Sequence, residues 1–191
     1  MSMLPQLREI QRILKANASE ATIASHRKFV PGLTKVYGVP MPVLNRLAKE
    51  FKEGGFSLVE ELSGSAYIEE KVLAAKMLGN IAKKDPVRTI ELFDRFSKSI
   101  DNWALCDALG MQSLKPLVKT HSKEIFALAK KYNRSENLWQ RRLSLVMVEW
   151  YTRDKEFHPA ILKLVNNLRK DKEYYVKKAI FWIERNLEKG R

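Results

Sequence analysis

The decapeptide EEKVLAAKML, residues 69–78, decides the fold because it returns in altered form as QRRLSLVMVE at 140–149 and as VKKAIFWIER at 176–185. The three strings align in their apolar positions, and a basic or polar residue leads each apolar run. With Asp107 of the central stretch DNWALCDALG (101–110) included, the leading residues are Lys71, Asp107, Arg142 and Lys178, which lie 36, 35 and 36 residues apart. A period of that length fits one pair of helices. The spacing therefore predicts an all-α fold, an α-solenoid of HEAT-like repeats with a shorter period than usual, in which these positions line a concave face.

The rest of the chain reads the same way, with no convincing alternating strand. Leu4, Leu7, Ile10, Ile13 and Leu14 form one stripe of a helix at 4–16, and a second helix is expected from about Ser19 to Lys28. VPGLTKVYGVPMP (30–42) breaks the pattern with Pro31, Gly32, Gly38, Pro40 and Pro42. It reads as an ordered connection, because Val36, Tyr37 and Val39 can anchor it. Helices are then expected at 41–53, 56–63, 66–84 and 86–98. Pro86 sits at a helix start, where its missing amide costs nothing. After the central stretch come 114–132, interrupted at Pro116 and again near Thr120, then 136–152, 156–170 and 172–188. Short connections and one apolar pattern throughout point to a single helical-repeat domain over 1–191.

Composition narrows the function classes. The single Cys106 cannot close an intramolecular disulfide, and with no secretory apolar segment at the N-terminus the expected setting is the reducing cytoplasm. No stretch approaches a membrane span. Three scattered histidines, His26, His121 and His158, form no cluster with zinc spacing, so neither metal nor cofactor is expected. The net charge of +13 is unevenly placed: residues 112–191 hold 19 Lys+Arg against 9 Asp+Glu, and residues 1–111 hold 16 against 13. A basic half is either a surface for a polyanion, most often nucleic acid, or a solvated face.

In DNWALCDALG, Asp101 can serve as the N-cap of a helix. Helical phasing then turns Leu105 and Leu109 to one side and Trp103, Asp107 and Gly110 to the other, about 160° away. An aromatic ring and a carboxylate thus share the face opposite the core. Alone, such a pair is explained by helix packing plus a structural ion pair. Two distant segments alter that reading. Arg142, Glu149 and Arg153 fall within about 40° of one another on an otherwise apolar helix. Trp182 lies off the Val176, Ile180, Ile183, Leu187 stripe by roughly 120°, among Tyr175, Lys178 and Arg185. Aromatic rings interleaved with cations suit a nucleic-acid backbone and exposed bases.

Five segments in order, VYGVPMPVLNRLAKEF (36–51), EEKVLAAKML, DNWALCD, NLWQRR (137–142) and EYYVKKAIFWIERN (173–186), resemble the AlkD-like DNA alkylation repair family of HEAT-like solenoids, with the match running from about Arg27 to Glu188. The resemblance implies that Trp103 and Asp107 are the catalytic pair, that Trp182 is a second site tryptophan, and that Arg142, three residues after Trp139, contacts DNA. It also implies a monofunctional DNA glycosylase that removes N3- and N7-alkylated purines from duplex DNA. One position departs from the family pattern: many relatives carry a further Asp directly after the catalytic Trp, and here Ala104 stands there.

The expected catalytic residues are therefore Asp107, Trp103 and Trp182, and the expected DNA-binding residues are Arg142, Lys178, Arg185 and Arg153. The expected partner is duplex DNA bearing alkylated bases, met by a monomer in the cytoplasm or, in a bacterium, at the nucleoid. The chemistry is self-consistent, since an N3- or N7-alkylated purine is already cationic and departs as a neutral base without a proton donor. One carboxylate then suffices, in contrast to the pair used by glycoside hydrolases. Two other classes fit the same basic helices. One is a non-catalytic HEAT-repeat DNA-binding protein that recognises branched or distorted DNA, and the other is a helical scaffold for an acidic protein partner.

Overall fold

The computed structural model describes residues 5–30 and 32–190. Met1–Leu4, with the Leu4 end of the first apolar stripe, and Pro31 of the break lie outside them. The described residues form eleven α-helices and no strand. These are α1 (Pro5–Ala16), α2 (Glu20–Phe29), α3 (Met41–Glu50), α4 (Gly55–Ser63), α5 (Ile68–Ile81), α6 (Pro86–Ser97), α7 (Trp103–Ala108), α8 (Ser122–Tyr132), α9 (Leu138–Val146), α10 (His158–Leu168) and α11 (Tyr174–Glu188).

Local chemistry accounts for many of the boundaries. Ser19 caps α2 by accepting from the Thr22 amide, and Asp85 caps α6 by accepting from Arg88 with Pro86 in the first turn. Several expected helices are shorter than the apolar pattern implies. The 41–53 helix ends at Glu50 and tightens into a 3₁₀ turn, and 66–84 contracts to 68–81. The pattern over 136–152 divides into α9 and a 3₁₀ turn at Glu149–Arg153, with Val146, Met147 and Val148 fully buried at the join. Apolar periodicity reports burial, and burial continues through the tighter turns.

The segment before α3 is pinned rather than loose. Tyr37 and Val39 are buried, Val36 packs beside them, and the Tyr37 ring stacks on Tyr67. Glu69, buried at the start of α5, accepts from the backbone amides of Tyr37, Gly38 and Val39, while Glu70 accepts from the Tyr37 hydroxyl and Gln11. Three amides with no sheet or helix to join are thereby satisfied by one carboxylate.

The buried side chains form one cluster that runs from Leu7 to Ile183. Within it α5 packs on α3, α4 and α7, α9 on α7, α8, α10 and α11, and α11 on α10 as well. Of the register positions, Asp107 and Arg142 become direct partners, and Lys71 and Arg142 reach residues near the next position. Lys71 reaches Asp101, the residue that opens the α7 region; Asp107 on α7 meets Arg142 on α9; and Arg142 meets the Tyr175 carbonyl on α11.

Candidate active site

The site is built outward from α7. Its N-cap is Asn102, whose side chain accepts from the Leu105 amide. This corrects the expectation of Asp101, which is exposed, accepts from the Asn102 side chain and pairs with Lys71 at 3.5 Å. A cap one residue later leaves the faces as phased: Leu105 and Leu109 are fully buried, while Trp103 and Asp107 are only partly covered. Gly110 does not join them. After Ala108 the chain opens into a π-helical turn, Leu109–Ser113, which shifts the register and sets Gly110 against α9. A Cβ at Gly110 would come 2.7 Å from Val146 and 3.1 Å from Leu143.

Asp107 is gripped by one guanidinium. Arg142 Nε and Nη2 donate to Asp107 Oδ1 at 3.0 and 2.9 Å, Nη2 also donates to Oδ2 at 3.0 Å, and Nη1 donates to the Tyr175 carbonyl at 2.7 Å. Three helices are tied at that point. The Arg142 side chain is 9% exposed and that of Asp107 31%, so the cation is turned inward and the carboxylate stays reachable. Burial raises the Asp107 carboxyl above its ordinary value of 3.8 and outweighs the Arg142 guanidinium, which lowers it.

Around this pair lies a cleft of about 340 Å³ lined by Phe29, Trp103, Asp107, Arg142, Tyr174, Tyr175 and Lys178. Trp103 Nε1 donates to the Phe29 carbonyl at 2.9 Å, which fixes the indole and ties the end of α2 to α7. Tyr174 and Tyr175 meet edge to face at 5.1 Å, Tyr175 packs on Trp139, and the Lys178 ammonium lies 5.2 Å from the Tyr174 ring. Phe29 and Tyr174 are large aromatics more than half exposed at this cleft. Buried Cys106 reaches the Trp139 carbonyl at 3.6 Å, and burial pushes its thiol well above the usual range.

Of the residues expected from sequence, Trp103, Asp107, Arg142 and Lys178 meet here. Trp182 lies one helical turn beyond Lys178 on α11, half-buried against the core and outside the cleft lining. Arg185 is exposed further along the same helix. Arg153 does not share a stripe with Arg142, because the helix ends between them. It pairs with buried Glu149 at 3.3 Å and stacks on Trp150 at 4.5 Å, while Glu149 also accepts from Asn186. Sequence reading missed Phe29 and Tyr174. Tyr174 had a signal, since it precedes Lys178 by one helical turn, whereas Phe29 reaches the site through a contact 74 residues away in sequence.

The described residues contain no group of three or more His, Cys, Asp or Glu able to hold a metal ion, and no described helix is long and apolar enough to cross a membrane. None of the curated proteins matches the chain. Among solved structures the fold is similar to that of a predicted DNA alkylation repair enzyme from Enterococcus faecalis, with a TM-score of 0.78 at 18% identity over 91% of this chain and 84% of that one. The family model for DNA alkylation repair enzymes matches residues 10–190, so the chain belongs to the DNA alkylation repair enzyme family.

Proposed function

We propose that this protein is a monofunctional DNA glycosylase that excises cationic N3- and N7-alkylated purines from duplex DNA, and that its single domain is a solenoid of HEAT-like repeats. The observation that carries this is a solvent-reachable carboxylate, Asp107, clamped by an inward-facing arginine at the base of an aromatic cleft with a lysine on its rim. The in-register contact of Asp107 on α7 with Arg142 on α9, 35 residues apart, supports the repeat reading.

The step balances without a proton donor to the base. The C1′–N bond breaks with its electron pair going to the alkylpurine, whose positive charge is thereby neutralised. Asp107 stabilises the positive charge that develops on the sugar. Water then adds at C1′, and its proton passes to Asp107 and on to solvent. Arg142 holds the carboxylate in place and favours its ionised form, while Oδ2, which accepts one hydrogen bond from the described residues, retains acceptor capacity for water. Trp103, Tyr174 and Tyr175 flank the nucleotide, and Trp182 acts beyond the cleft on the backbone together with Lys178, Arg185 and Arg153.

Release of free base from methylated duplex DNA tests this. Appearance of N3-methyladenine or N7-methylguanine in solution, with abasic sites left in an otherwise intact strand, is the expected result. Absence of both bases, with duplex binding retained, would leave the protein a non-catalytic DNA binder.

A further inference from the structure

A second concavity lies toward the C-terminal end of α5. It has a volume of about 340 Å³ and is walled by Lys49 on α3, Lys76 and Asn80 on α5, and Gln112 and Lys115 after α7, with Asn45 at its edge. Three lysines and three amide side chains line it, and no carboxylate does. The acids nearest in sequence are committed elsewhere, Glu50 to Arg46 and Glu53 to Lys84. Lys115 is held over the Trp150 ring at 4.3 Å, and Asn80 is fixed by donating to the Ala48 carbonyl at 2.8 Å, which leaves its second amide hydrogen available.

Lys76 is the informative member. It is half-buried on a helix that is otherwise almost wholly core. Burial without a counter-charge disfavours its ammonium form, so its pKa lies below the ordinary lysine value. A partly desolvated cation flanked by two exposed lysines, with no anion among the lining residues, forms a site that a bound anion would complete.

We propose that the Lys49, Lys76 and Lys115 pocket seats a backbone phosphate of the DNA, as a second anchoring point separate from the Asp107 cleft. The inference rests on the reading that the chain engages duplex DNA. Gln112, within the π turn, and Lys115, past it, lie five and eight residues beyond Asp107 in sequence.

The test uses the whole protein and undamaged duplex, so excision does not enter the readout. In Lys49→Gln/Lys76→Gln/Lys115→Gln the slope of log affinity against log salt falls by about 1, the one lost phosphate contact. The matched control is Lys130→Gln/Arg134→Gln/Lys163→Gln, which removes the same charge from a pocket between α8 and α10 and leaves the slope unchanged. In lysine-¹³C-labelled protein, the Lys76 Cε resonance, assigned by its loss in Lys76→Gln, shifts on addition of duplex and titrates at higher pH in the complex. Inorganic phosphate moves it only at far higher concentration.

Equal slopes in the two triple variants, or a Lys76 resonance indifferent to duplex, overturns the anchor. Saturation by inorganic phosphate with the duplex slope unchanged also overturns it, and identifies a site for free phosphate. Wild-type binding to duplex without base release sinks only the glycosylase reading, whereas no duplex binding at all sinks both.

Discussion

Asp107 stands between two opposing influences. Burial favours its neutral form and Arg142 favours its charged form, with burial the larger. The catalytic species is the carboxylate, so base release rises with pH as Asp107 deprotonates. The acid limb of the rate profile therefore lies above 3.8, and Arg142→Ala, which removes the cation that lowers it, moves that limb to higher pH. A limb unmoved in Arg142→Ala, measured by base release across pH, would separate the two residues. The clean probe of chemistry is Asp107→Asn, which leaves an acceptor oxygen for Arg142 but no negative charge. Excision is expected to drop by about 10²-fold or more with duplex affinity little changed. Asp107→Ala is a poorer choice, since it strands a buried guanidinium at a cost of about 3–5 kcal/mol. Leaving-group chemistry adds a further expectation: duplexes carrying uracil or hypoxanthine, whose bases are neutral in DNA, are not processed. Uracil released as fast as N7-methylguanine in a defined-lesion panel would end the single-carboxylate mechanism.

At the scale of elements, the cleft depends on two contacts that belong to neither wall. The Glu69 carboxylate holds the connection that carries the chain from α2, and hence Phe29, to α3. Glu69→Ala leaves three amides without their acceptor, about 1–3 kcal/mol for each that water cannot satisfy. Hydrogen exchange at Tyr37 to Val39 should accelerate and excision should fall with it. Exchange that stays slow would show that packing alone holds the segment. The second contact is the close approach of α5 to the π turn. A Cβ on Gly79 would come 2.4 Å from the Gln112 carbonyl oxygen, a backbone atom that cannot swing aside, and Ser113 donates to the Ala75 carbonyl one turn away. Gly79→Ala is expected to lower stability by about 1–3 kcal/mol despite the better helix propensity of alanine. At about 2–4 °C per kcal/mol for a chain of this size, a thermal melt resolves the loss, and an unchanged or raised Tm would contradict the close approach.

For the whole molecule, the decisive quantity is the response to salt. Lys178, Arg185 and Arg153 toward the end of the chain, with the one phosphate seated by Lys49, Lys76 and Lys115, make four candidate phosphate contacts. Four contacts predict a loss of about 10²-fold in duplex affinity between 50 and 200 mM salt. A shallow dependence would favour a protein partner for the basic half.

Periodic burial is a local property of the chain, so the order of the residues displays it directly. The recurrence of EEKVLAAKML and its relatives determines helices, their order and their shared apolar faces, because each repeat meets its neighbours through the same positions. Trp103 and Asp107 fall off the core of α7 for the same reason, since phase within one helix needs no knowledge of anything beyond it. What the periodicity cannot carry is direction across the gap between helices. By sequence Arg142 faces DNA, and only the packing of α9 on α7 turns its guanidinium onto Asp107, because burial leaves that carboxylate and the Tyr175 carbonyl as its partners. Arg153 leaves the Arg142 stripe where the backbone tightens after Val146, and Gly110 leaves the Asp107 face where it widens after Ala108. Phe29, from a helix with no buried residue of its own, joins the cleft through a single long-range hydrogen bond. Contacts of that kind are selected by the close packing of the finished molecule, whose geometry no local window of sequence contains.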